Sequence, residues 1–131
     1  MKSLIAIVLL MCGMFGQADD PTDAVVKRLS QASIYAFGGV GFVGKITRGE
    51  LDYRLILSLP KPEAEAAFEK VYASNNPQAK AYALNGMKQV NPARFKELAQ
   101  AAQDSQQDVT VGRGCVISRE PLSAIAKGLM R

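Results

Sequence analysis

The sequence predicts a mainly α-helical single domain, a small bundle or short solenoid-like stack of about six helices. Three observations lead there. Prolines at 62, 77 and 92 recur at a constant pitch of 15 residues, each opening a segment of helically spaced apolar residues. Cap-type residues precede several of these segments, Asn76 and Asn91 most plainly. Strand formers gather in one short stretch near 109–118, enough for a two-stranded hairpin or an extended buried segment.

The N-terminus stands apart from the fold. Met1 and Lys2 form a short positive end, an apolar run follows from Leu4 to Met11, and Gly16 and Ala18 occupy the −3 and −1 positions of a cut before Asp19. That layout is a secretory signal peptide over residues 1–18, with an apolar stretch too short to span a membrane. It implies export to the periplasm or the extracellular space. The competing reading, a lipid anchor on Cys12, asks for a small residue where Met11 stands. Removing residues 1–18 from the 131 leaves 113, one domain over 19–131 with room for a small core. The segment takes one of 16 basic residues and none of the 12 acidic ones, so the remainder carries +3. Beyond Lys27–Arg28 no two basic residues are adjacent, which argues against a nucleic-acid partner.

The first helix opens with Asp20 as cap and Pro21 at its first position, and its stripe Val25, Leu29, Ala32 and Ala36 carries it toward Ala36. The second starts at Thr47 with Glu50 in capping-box spacing, and Leu51, Leu55 and Leu59 recur every four residues as its inner face. Pro62 opens the third, with Glu63 and Glu65 in the first turn and Phe68, Val71 and Tyr72 buried. Asn76–Pro77 and Asn91–Pro92 open the fourth and fifth, and Pro121 opens the last. Leu55, Leu59, Phe68, Tyr72, Leu84, Met87, Phe95 and Leu98 are the expected core. Residues 62–102 then read as three antiparallel helices packed in order, similar in architecture to HEAT or tetratricopeptide αα-hairpin arrays. The pairing of "AYALNGM" at 81–87 with "GCVIS" at 114–118 resembles small exported bacterial proteins of unknown function, and implies no activity.

Two stretches between helices invite a functional reading. "GVGFVG", residues 39–44, matches G-x-G-x-x-G, but a helical segment ending near Ala36 would deny it the strand a dinucleotide loop needs. A glycine-rich connection is expected instead, with Val40, Phe42 and Val43 tucked inward or forming a partner contact. In "VGRGCVISREP" the glycines at 112 and 114 are expected to turn the chain, and Cys115 to plug the seam between this segment and the helices. Its functional alternative is a reactive thiol, with Arg113 or Arg119 lowering its pKa.

Composition excludes much chemistry. With no histidine there is no Ser-His-Asp triad, Cys-His dyad or histidine-ligated metal, and one mature cysteine makes neither a Cys₄ zinc site nor an internal disulfide. No cofactor, no metal and no catalytic residue is assigned beyond the Cys115 candidate. The reading that remains is an exported helical domain that binds another protein, and an enzyme is disfavoured. The alternatives are a thiol-dependent redox protein and a carrier of a small apolar ligand with a pocket between helices.

Overall fold

Residues 20–41 and 43–131 are described by a computed structural model. The signal-peptide reading, Cys12 and Phe42 lie outside them. The described residues form six helices and a three-stranded sheet in the order α1 (Pro21–Leu29), β1 (Tyr35–Val40), α2 (Arg48–Leu57), α3 (Lys61–Tyr72), α4 (Pro77–Val90), α5 (Pro92–Ala102), β2 (Asp108–Gly114), β3 (Val116–Pro121) and α6 (Leu122–Met130). The architecture is mainly α, as expected, and no described helix is long and apolar enough to cross a membrane.

Local cap chemistry sets most helix starts. Asp20 accepts from Thr22 N at 3.0 Å, Asn76 from Gln78 N at 3.0 Å and Asn91 from Arg94 N at 3.2 Å. Each cap satisfies an N–H that the first helical turn leaves free. Prolines 62, 77 and 92 occupy the first turns of α3, α4 and α5, which explains their constant pitch. Consecutive helices pack in order along this stretch, but α4 also touches α2, α6, β1 and β2. Ala79, Ala81, Tyr82, Ala83, Leu84 and Met87 are all fully buried on it. A solenoid unit meets only its neighbours. Here α4 is the centre of a bundle.

The first helix is shorter than its apolar stripe suggests. It ends at Leu29, and the Asn76 amide donates to Ser30 O at 3.1 Å and Ala32 O at 2.7 Å, binding the chain as it leaves the helix. Tyr35–Val40 then forms a third strand where a helix end and a loop were expected. Aromatic and β-branched side chains suit a strand, and β2 supplies a parallel partner, with Tyr35 beside Val111 and Ala36 beside Gly112. The sheet order is β1–β2–β3, and β3 runs antiparallel to β2.

The phase of α2 also differs from expectation. Leu51 and Leu55 are 40% and 50% exposed, Leu59 is half-buried beyond the helix end, and the inward face carries Glu50, Tyr53 and Ile56 with Asp52. The two buried acids are partnered rather than stray. Glu50 Oε1 accepts from Gly38 N at 2.6 Å, and Arg54 Nη2 stands 3.4 Å from Oε2. Asp52 is held by Arg28 Nη2 at 3.1 Å and Arg48 Nε at 3.6 Å. Phe68, Leu84, Met87, Phe95 and Leu98 are buried as expected, while Tyr72 is only partly so.

Candidate functional site

The two stretches singled out above meet at one end of the sheet. Val40 and Lys45 exchange both backbone bonds, at 2.9 and 3.1 Å, so the chain doubles back as a short hairpin, further tied by Gly44 N to Gly41 O at 3.0 Å. Gly39 has φ +98°, and a side chain there would collide with the Gly44 carbonyl, so the fold of this loop requires glycine. A strand does precede the G-x-G-x-x-G match, which corrects the ground for setting it aside. The loop nevertheless bonds to itself, and α2 begins only at Arg48, capped by Thr47 Oγ1 accepting from Glu50 N at 3.2 Å. A dinucleotide loop would instead open its helix within the motif and aim free N–H groups at a phosphate.

The second hairpin turns at Gly114–Cys115, with Arg113 and Val116 paired across it, and Gly114 takes the φ of +59° that such a turn demands. Gly112 stays in the strand, where a side chain would press on Ile34, Val40 and Ala36. The expected burial of Cys115 is therefore corrected. A seam position assumed that Val116 and Ile117 lead inward, but the turn lifts the thiol to the hairpin apex, and those two residues are 64% and 62% exposed.

Gly41 N donates to Gly114 O at 2.8 Å and fixes the two hairpins side by side. Close to these glycines in the chain, Val43 is 89% exposed, and Cys115, Val116 and Ile117 are exposed as well. Val40 is half-buried at the base of its hairpin. The register alternates the faces of the second hairpin. Val109, Val111 and Arg113 lie on the face toward the helices with Val116, Ser118 and Glu120 opposite them, while Gly112, Ile117 and Arg119 lie on the other.

The arginines proposed for the thiol are not at it. Arg113 Nη1 bonds Glu120 Oε2 at 2.5 Å across the sheet, and that carboxylate raises the guanidinium pKa further. Arg119 lies four residues along β3 from Cys115, about 13 Å in an extended strand. Neither arginine is therefore placed to hold a thiolate. Among the described residues there is also no group of three His, Cys, Asp or Glu able to hold a metal ion. An open groove of about 490 Å³ among the described residues is lined by Val40, Lys45, Ile46, Thr47, Arg48 and Leu51. Its openness suits a surface contact better than the enclosure of a small apolar ligand.

Glu50 and Tyr82, neither of them a candidate from the sequence, close the outer edge of β1. The Tyr82 hydroxyl accepts from Ala36 N and donates to Ala36 O, both at 3.1 Å, and Glu50 takes the N–H two residues on. The helical spacing of Glu50 from Thr47 matched a capping box, which hid its reach to a distant strand. No known protein family, curated protein or solved structure matches the chain.

Proposed function

We propose that the chain is an exported protein-interaction module whose contact surface is the paired-hairpin end of the sheet. The observation that carries this reading is the Gly41–Gly114 bond of 2.8 Å, which sets two glycine-turned hairpins together and leaves Val43, Val116 and Ile117 facing solvent, the last two on opposite faces of the hairpin tip. Scattered exposed apolar residues are ordinary on any surface, whereas a fixed group of them on adjoining hairpins suits a binding site. Covering each such side chain is worth on the order of 1.5–3 kcal/mol before association costs are met. The export component rests on the N-terminal sequence.

Val43→Asp and Val116→Asp are expected to abolish retention of a partner from the cell-envelope fraction on immobilised protein. Both sites are largely exposed, so thermal melts should be nearly unchanged. Retention of the same proteins by wild type and both variants would refute this surface.

A further inference from the structure

We propose that the outer edge of β3 takes up an extended segment of a partner protein by antiparallel strand addition, the segment carrying a carboxylate two residues before an apolar side chain. This rests on the interaction reading above and specifies the partner's chemistry.

The backbone pattern identifies the free groups. A two-residue turn at Gly114–Cys115 bonds Val116 N–H to Arg113 C=O, making that pair a hydrogen-bonded one. Such pairs alternate along an antiparallel ladder, so Val111 with Ser118 and Val109 with Glu120 are bonded as well. Ile117 and Arg119 then turn their N–H and C=O groups away from β2. Neighbouring bonds obey the same phase. Leu122 N donates to Gln107 O at 2.8 Å at the next bonded position, and on the far edge of β2 Thr110 N donates to Gln78 Oε1 at 3.2 Å.

The sheet's two edges are treated differently. Tyr82 and Glu50 occupy the outward groups of β1 at Ala36 and Gly38. Among the described residues nothing bonds the outward groups of Ile117 and Arg119. Exposed edges are ordinarily blunted by charge, proline or bulges. Here Pro121 removes the next outward N–H, which confines an added strand to the half of β3 beside the paired hairpins. An unpaired ladder edge specifies extended backbone as its occupant.

Side chains narrow the occupant. Ile117 is 62% exposed, and Arg119, on the same face, pairs with no described carboxylate. A strand residue opposite Ile117 gains from being apolar, and one opposite Arg119 from being acidic. In an antiparallel strand the acid comes two residues earlier. A second copy fits poorly, because a two-fold axis sets like faces together. Centred on Ser118 it opposes Ile117 to Arg119, centred on Arg119 it opposes two arginines, and centred on Ile117 it opposes Arg119 to Cys115. None of these registers pairs the charge.

The test uses isotope-labelled protein and a capped heptapeptide of threonines with glutamate third and valine fifth. Amide exchange at Ile117 and Arg119 is expected to slow about tenfold with saturating peptide, with Ser118 unchanged. Lysine in place of the glutamate should weaken binding about fivefold, and Arg119→Glu should reverse that preference. Arg119→Pro, which deletes one outward N–H, should abolish binding. Millimolar peptide without slowing at both amides, or a preference indifferent to Arg119→Glu, would overturn the proposal. Slowing that grows with protein concentration alone would identify a second copy and overturn the stated occupant. Partner retention sensitive to Val43→Asp, without slowing at these amides, leaves the interaction reading standing and overturns the edge. Slowing by the peptide with no retained partner does the reverse.

Discussion

Replacing Phe68 by alanine is expected to destabilise the fold by about 3–5 kcal/mol, measured by denaturant melts. The ring is fully buried on α3, lies 5.8 Å from the Tyr53 ring between centroids, and packs directly onto the Gly86 backbone. A Cβ at residue 86 would overlap that ring, so Gly86 exists in α4 as space for Phe68 despite its cost to helix stability. Gly86→Ala alone should therefore cost about 1–3 kcal/mol through overpacking. In the Phe68→Ala background the added methyl enters the vacated space, and Gly86→Ala becomes neutral or stabilising. The pair must be strongly non-additive. Independent effects of the two changes would mean that the ring does not lie on α4.

Tyr82→Phe, which removes a single oxygen, is expected to cost about 2–4 kcal/mol. The hydroxyl serves both the N–H and the C=O of Ala36, each at 3.1 Å, where that residue is only 2% exposed. Burial raises the phenol's pKa above its ordinary value, so the proton it donates is retained across ordinary pH. Its loss strands one donor and one acceptor in the interior, at about 1–3 kcal/mol each, partly relieved if water enters. Gly49 makes the approach possible, because a Cβ there would stand 2.9 Å from the hydroxyl. Faster amide exchange at Ala36 should accompany the lower midpoint. A change below 1 kcal/mol would show that the outer edge of β1 is satisfied by other groups.

The parts of this fold that were legible in the sequence are those built from neighbours in the chain. An asparagine at 76 or 91 caps N–H groups two or three residues on, so the starts of α4 and α5 followed from local chemistry. The phase of α2 did not. Leu51, Leu55 and Leu59 offer a cleaner apolar stripe than Glu50, Tyr53 and Ile56, and burying the acids depends on Arg28 and the Gly38 N–H, supplied by other elements. β1 was hidden for the same reason, since its partner β2 lies at the far end of the chain. At the candidate site, the glycine stretch and the "GRGCVIS" stretch were both visible as unusual. Their union through Gly41 and Gly114, and the turn that exposes Cys115, are long-range facts that no window of sequence contains.

Whether the paired hairpins contact another protein in the cell can be read by site-specific photocrosslinking. A benzophenone amino acid would replace Val43, or the exposed Lys96 on α5 as control, in cells carrying the full chain. A discrete higher-mass adduct is expected from position 43, lost when Val116→Asp is added, and none from position 96. Equal adducts from both positions, or none from position 43 in cells where the protein is folded and abundant, would contradict that contact.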